Sequence, residues 1–270
     1  MNQTSLETIL ADLPLGGIRY VDSIGSTNDE AARWASEGAA DCSLVVADEQ
    51  TAGRGRGSRR WFTPPGAALA FGLILRPDYP ELRDQLTRLN GLGALAVCQT
   101  LQKTYQLPAQ IKWPNDVLLN RRKVAGVLPE SKWLGDQLST VVLGIGVNIA
   151  AAAIPPADWA GHHAHSFPAT SVETVLGAAP ERGAFLSALL QNLLDWYPRL
   201  MSADFLHAWG ANLAFRDEWV QIITSEAEAL DARLIHLNPD GSLRVEFRSG
   251  EQANLRAGEI HLRPVDSSLK

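Results

Sequence analysis

Cysteine is nearly absent: 270 residues hold only Cys42 and Cys98, far apart and without a CxxC pair. Two thiols close one bridge at most, which excludes a disulfide scaffold and makes a reducing cytoplasm the natural setting. Positive charge is also short. Lys and Arg number 24 against 30 Asp and Glu, a formal net charge of −6. That excludes a protein whose main task is to coat nucleic acid, which needs a basic surface. No apolar run approaches the ~20 residues of a membrane span. The opening residues lack the charged stretch and apolar run of a signal peptide. There is no internal repeat, no low-complexity segment and no G-x-x-x-x-G-K-[ST] phosphate loop.

What remains is a globular composition, 46% hydrophobic and 20% charged. Thr27 and Glu30 have the spacing of a capping box, so a helix is expected from Thr27 to Gly38. Apolar strands are expected over 43–48, 67–76 and 138–149, with a long helix over 81–105 carrying leucines near helical spacing. Gln110 to Trp113 reads as a strand leading into the Pro114-Asn115-Asp116 turn. Segments 117–119 and 124–128 read as a hairpin around Asn120 to Lys123. Residues 150–169, rich in Ala, Pro and His, read as a loop, and 181–201 and 203–213 as helices. After Phe215 the texture changes to short alternating strands with tight turns. The expected architecture is α+β: a mixed sheet covered by helices over 1–215, then a small β-barrel-like domain over 216–270.

The most informative segment is Gly53-Arg54-Gly55-Arg56-Gly57-Ser58-Arg59-Arg60-Trp61. Arginine forks grip carboxylates and phosphates with paired hydrogen bonds, and glycine lets the backbone come close to them. The segment departs from G-x-G-x-x-G and runs into Trp61-Phe62-Thr63-Pro64 rather than a helix, so the dinucleotide-binding mechanism is missing. Taken alone it is an anion clamp, a solvated turn or a nucleic-acid arm.

Three further segments carry chemistry. Lys112-Trp113-Pro114-Asn115-Asp116 puts a lysine at a strand end before a rigid turn. There it either steadies developing negative charge or is an ordinary strand-end lysine. Gly126, Gly144 and Gly146 interrupt strand-like runs, which a flat ligand lying on the sheet explains, as do bulges or tight packing. Ser26-Thr27-Asn28 caps a helix and turns its N-terminus toward a polar ligand.

In order and spacing these segments resemble the bacterial biotin protein ligases: Ser-Thr-Asn, a Gln followed by a GRGR loop ending in Trp, KWPND, a Lys-x-Ala-Gly hairpin, and GxGxN. The resemblance covers Ile18 to Asn148 closely. Further on, Gly258-Glu259-Ile260 and Arg263 look like the family's closing strand. Gly57-Ser58 departs from the family's Arg-Gly. Ser26-Thr27-Asn28 comes too early for the winged helix-turn-helix of the family's repressor members, so no DNA-binding role is expected.

The resemblance implies an SH3-like C-terminal barrel and ATP-dependent formation of biotinyl-5′-AMP. Biotin then passes to a lysine of a biotin carboxyl carrier protein, usually that of acetyl-CoA carboxylase. Magnesium would accompany ATP, and pairing at a sheet edge would allow a homodimer. By matching, Ser26, Thr27, Asn28 and Gln50 contact biotin. Arg54, Gly55 and Arg56 close over its side chain and the acyl-phosphate. Arg59 reaches the phosphates, and Trp61 packs on the activated ligand. Lys112 is the central catalytic residue, with Arg54 and Arg56 beside it. Asn115 and Asp116 orient it or the phosphates, and Lys123, Gly126 and Asn148 line the nucleotide side. No protein metal site is expected: His162, His163 and His165 read as a mobile loop over the nucleotide. Cys98, in an apolar helix run, reads as a buried inert thiol, which weighs against a cysteine-dependent octanoyl- or lipoyl-transferase. A lipoate-type ligase and a non-enzymatic biotin or nucleotide-binding regulator are the competing readings.

Overall fold

The computed structural model describes residues 1–270 except 58, 158, 160–166, 224–228, 257–260 and 265–270. In chain order the first part comprises α1 (Gln3–Ile9), β1 (Gly17–Ile24), α2 (Thr27–Ser36), β2 (Ser43–Gln50), β3 (Ala68–Leu75), α3 (Thr87–Lys103), β4 (Ala109–Lys112), β5 (Asp116–Leu119), β6 (Arg122–Leu134) and β7 (Gln137–Asn148). The strands form one seven-stranded sheet in the order β1-β2-β3-β7-β6-β5-β4. β1 and β2 are parallel and every other neighbouring pair is antiparallel.

A strand covered on both faces needs apolar residues throughout, and β3 is buried at every position. Leu69, Phe71 and Leu73 face a large core shared with α3 and with α5 (Arg182–Trp196). Ile74 and Val45 face a smaller core made with Ala31 and Ala35 of α2. α2 therefore lies alone on the opposite face from α3 and α5.

After the short α4 (Val172–Leu176), α5 and α6 (Ala203–Ala211) come β8 (Trp219–Ile223), β9 (Ala229–Leu237), β10 (Leu243–Phe247), β11 (Gln252–Leu255) and β12 (His261–Pro264). They make a five-stranded antiparallel sheet in the order β11-β10-β9-β8-β12, where the alternating strands predict a small β-barrel-like unit. Its Asn238–Gly241 turn docks on the first part. Trp113 Nε1 donates to Gly241 O at 3.0 Å, and the buried Arg88 guanidinium donates to Pro239 O at 2.5 and 3.2 Å. Gly258, Glu259 and Ile260 lie outside the described residues, and β12 begins just after them.

Several expected elements differ. The helix over 81–105 is a 3-10 turn, Pro80–Asp84, then α3, with Gln85 breaking the register at φ −129°, ψ 31°. Leu82 and Leu89 reach the same core from both pieces, so leucine spacing hides the break. The turn before β6 is two residues, Asn120 and Arg121, both left-handed at φ 48° and 59°, as short antiparallel hairpins require. β6 runs to Leu134 and closes with β7 at Gly135, φ +58°. Its outer half is solvent-exposed, so no apolar pattern marks it. α1, α4 and the half-buried edge strand β1 likewise lack a clean periodicity. Among the described residues no helix is long and apolar enough to cross a membrane.

Gly91 tests the packing of α3 against α6. A Cβ there would lie 2.6 Å from the ring of the fully buried Trp209. Alanine favours helix by up to ~1 kcal/mol, yet overpacking costs ~1–3 kcal/mol. Gly91→Ala is therefore expected to lower the unfolding free energy in a urea titration, where helix propensity alone would raise it.

Candidate active site

Glycines meet across strands to form the floor of the site. Gly72 of β3 pairs with Gly144 of β7, and Gly146 of β7 pairs with Gly126 of β6. Without side chains, the sheet admits close neighbours from above. The N-terminus of α2 sits over the first pair: a Cβ on Gly144 would lie 2.3 Å from Asn28 Oδ1, and one on Gly72 would lie 3.1 Å from Thr27 O. The Trp61 indole sits over the second pair, 2.3 Å from a Cβ on Gly146. The flat group on these glycines is thus the protein's own Trp61, with the carboxamide of Asn28 beside it, while a cavity opens alongside. Gly72 was not read from the sequence, although a glycine inside an eight-residue apolar strand is the same signal as the other three.

One end of the cavity is neutral and polar. Ser26 is the N-cap of α2 but makes no side-chain cap bond, and the expected Thr27–Glu30 capping box does not form because Thr27 is already helical. Gln50, at the end of β2, takes the capping role instead. Its Oε1 accepts from Thr27 N at 2.9 Å and from Thr27 Oγ1 at 3.0 Å, while its Nε2 donates to Thr63 Oγ1 at 3.1 Å. Asn28 Nδ2 donates to Leu128 O at 3.2 Å and Glu130 Oε2 at 2.6 Å. Ser26, Thr27 and Asn28 are all buried.

The other end is cationic. The β4–β5 turn places Lys112 and Asp116 together, and β6 brings Lys123 to the same carboxylate. Lys112 Nζ lies 3.4 Å from Asp116 Oδ2 and Lys123 Nζ lies 2.6 Å from Asp116 Oδ1. Burial alone would push the Asp116 carboxyl up, but Lys123 and Lys112 together hold it well below the usual carboxylate range. Burial lowers the Lys112 ammonium from the ordinary lysine value, with Asp116 opposing and Lys123 assisting. Two cations on one carboxylate leave a net positive charge. Lys112 Nζ also lies 5.2 Å from the Phe167 ring centroid, and Lys123 Nζ 5.4 Å from that of Trp61.

The arginine–glycine segment folds back as a tight loop across the cavity. Gly55 N donates to Arg59 O at 2.8 Å and Trp61 N donates to Gly53 O at 2.9 Å. The two guanidinium groups point to different places. Arg56 Nη1 donates to Asn115 Oδ1 at 3.1 Å, and Asn115 Nδ2 in turn donates to Val127 O at 2.9 Å. Burial lowers the Arg56 pKa, and Asp116 opposes the shift. Arg54 instead meets the carboxylates of Asp29 and Glu130. Ser58 lies outside the described residues.

The cavity collects every candidate chosen from sequence: Ser26, Thr27, Asn28, Gln50, Arg54, Gly55, Arg56, Arg59, Trp61, Lys112, Asn115, Lys123, Gly126 and Asn148. Asn148 braces the wall by donating to Thr170 O at 3.0 Å. Phe62, Trp159 and Phe167 also line the cavity and were missed, being aromatics in irregular segments. His162, His163 and His165 lie outside the described residues. Among the described residues no group of His, Cys, Asp or Glu is placed to hold a metal. Cys98 is fully buried and its thiol is pushed up to about 12, an inert thiol as the apolar run predicts.

A cavity with a neutral polar end, a cationic end and an arginine loop has the chemistry to suit a small carboxylic acid beside a phosphate. The sequence profile described as the Biotin/lipoate A/B protein ligase family matches residues 20–148. The biotin–[acetyl-CoA-carboxylase] ligase of Paracoccus denitrificans is 38% identical over 209 residues, 76% of this chain and 84% of that protein. The bifunctional ligase/repressor BirA of Bacillus spizizenii is 44% identical over 131 residues, 48% of this chain but only 39% of the relative's length. The fold also matches a biotin protein ligase from Aquifex aeolicus in complex with biotin and ATP. That structure gives a TM-score of 0.76 at 23% identity, covering 92% of this chain and 99% of the other. The chain belongs to the biotin/lipoate protein ligase family, among its biotin protein ligases.

The buried charge cluster yields a stability prediction. The folded-state pKa of Asp116 is depressed, so its contribution is present above the unfolded value of ~3.9 and is lost as pH falls through the folded value. Asp116→Asn leaves the buried Lys112 ammonium, and the half-buried one of Lys123, without their carboxylate and is expected to cost ~3–5 kcal/mol at neutral pH. In urea titrations between pH ~4 and 2, the wild type should lose more stability on acidification than the variant.

Proposed function

We propose that the protein joins biotin to ATP, releasing pyrophosphate and giving biotinyl-5′-AMP, and transfers biotin to a lysine of a biotin carboxyl carrier protein such as that of acetyl-CoA carboxylase. The observation that carries this reading is the pairing, in one cavity, of a neutral polar end with the Lys112–Asp116–Lys123 cluster. Ser26, Thr27, Asn28 and Gln50 suit the ureido ring, which needs both acceptors and a donor. The cationic end suits a carboxylate and a phosphate. A carboxylate oxygen attacks the α-phosphorus of ATP, the new P–O bond forms, and pyrophosphate leaves with the electron pair of the bond that breaks. The carrier amine then attacks the acyl carbon, AMP leaves, and the amine proton passes to solvent.

In the first step two anions must approach. Lys112, held by Asp116, and Arg56, held by Asn115, are positioned to offset that repulsion before the reaction begins. Arg59 and Lys123 serve the phosphates. Trp61, Gly126 and Asn148 form the wall on the nucleotide side. Closure of the arginine loop keeps water from the mixed anhydride. Magnesium enters as part of the ATP substrate, because the buried Asp116 is already neutralised by two lysines.

We assign this chemistry to residues 1–215 and treat 216–270 as a second domain that braces it through Gly241 and Trp113. The net charge of −6 speaks against a repressor role, and the buried free thiols suit a cytoplasmic setting. A homodimer paired at a sheet edge belongs to the same reading; at the β1 edge such pairing would displace Gln3, whose side chain accepts from Tyr20 N at 2.7 Å and donates to Ile18 O at 3.0 Å.

The test is incubation with labelled biotin or lipoate, ATP and a carrier domain. Biotin transfer is expected, with Lys112→Ala lowering turnover ~10²–10³-fold, the usual cost of a lost charge-stabilising group. Lipoate transfer alone would establish the lipoate-type reading, and ligand binding without pyrophosphate release would establish a regulator. Lys112 acts as a cation and burial lowers its pKa, so turnover should fall as pH rises, below the ordinary lysine value of ~10.4. A pH–rate profile flat to pH ~10.4 would contradict that role.

A further inference from the structure

Arg54 and Arg56 of the loop look equivalent in sequence but are not so in space. Arg54 Nη1 lies 2.7 Å from both Asp29 oxygens, and its Nη2 lies 3.0 and 2.9 Å from the Glu130 oxygens. Both terminal nitrogens are thus committed to carboxylates, and the Asp29 hydrogen bond is the main cause of the raised Arg54 pKa. Glu130 Oε2 also accepts from Asn28 Nδ2 at 2.6 Å. One carboxylate therefore ties the loop to the first turn of α2, where the polar end of the cavity begins.

From this geometry we infer that Arg54 is the anchor of the loop rather than a phosphate ligand, and that Glu130 is a positioning residue that sets Arg54 and Asn28 together. The inference rests on the proposed biotin-activating function for its kinetic readout only. A single exposed ion pair contributes little, but here two carboxylates meet one planar fork with four short contacts, a geometry that fixes direction as well as charge. Asp29 supplies the charge from α2, while Glu130 reaches in from the exposed half of β6, which no apolar pattern marks. Arg56, by contrast, faces the cationic end through Asn115.

Limited proteolysis of the free protein and steady-state kinetics of biotin-dependent pyrophosphate release test the arrangement on Arg54→Ala, Glu130→Ala, Glu130→Gln and the double Ala variant. Each single Ala variant is expected to speed cleavage within 53–61 ~5–10-fold and to raise the KM for biotin by a similar factor. Turnover at saturation should fall far less than in Lys112→Ala. The double variant should fall short of the product of the two singles, because the Arg54–Glu130 contact they share is lost only once. Glu130→Gln, which keeps an acceptor for Asn28, should restore part of the KM effect but not the cleavage resistance. The anchor reading is overturned if Arg54→Ala lowers saturated turnover 100-fold or more while Glu130→Ala leaves cleavage and KM unchanged, or if the two effects multiply in the double variant. Proteolysis needs no catalysis, so an absence of pyrophosphate release in the wild type would defeat the functional reading and leave the anchor to be judged on cleavage alone.

Discussion

The arrangement of the site depends on one buried carboxylate, Asp116, held between two lysines. It comes from β5, while Lys112 ends β4 and Lys123 lies near the start of β6. The cluster therefore forms only when three strands are in register. Burial works against each of these charges singly, and their mutual proximity makes the group tolerable. Because the count is two cations to one anion, the cluster keeps a positive surplus in a cavity that Arg56 and Arg59 also line. A second anion entering the cavity completes the compensation.

The glycine floor is the geometric counterpart of that charge. Gly72 with Gly144, and Gly126 with Gly146, remove side chains where α2 and Trp61 must press onto the sheet. The helix end can then bring Thr27 and Asn28 close to β7, while Gln50 replaces the missing cap. The polar and cationic ends are held at a fixed separation by the sheet itself. The arginine loop lies across the cavity, tethered through Arg54 to Asp29 and Glu130. On the far side the Asn238–Gly241 turn bonds the Trp113 indole and so braces the residue next to Lys112.

Much of this was legible in the chain. Lys112, the GRGR loop and Ser26-Thr27-Asn28 stand out because charge or small polar residues interrupt apolar strands, and the structure gathers all of them in one cavity. Pairing was not legible. That the glycines face each other across strands is a matter of register, which no single segment carries. Asp29 and Glu130 read as solvated charges on a helix and in a polar stretch, and their shared grip on Arg54 joins residues about a hundred positions apart. Phe167 gives no signal in an irregular segment, yet its ring meets Lys112.

The central claim is that Lys112, poised by Asp116, neutralises the approach of a carboxylate to the α-phosphate. Exchange of labelled pyrophosphate into ATP isolates that step from transfer to the carrier. Exchange is expected to require biotin in the wild type and to fall to background in Lys112→Gln, a variant of similar length without the charge. Exchange at the wild-type rate in Lys112→Gln, or exchange indifferent to biotin, would contradict it.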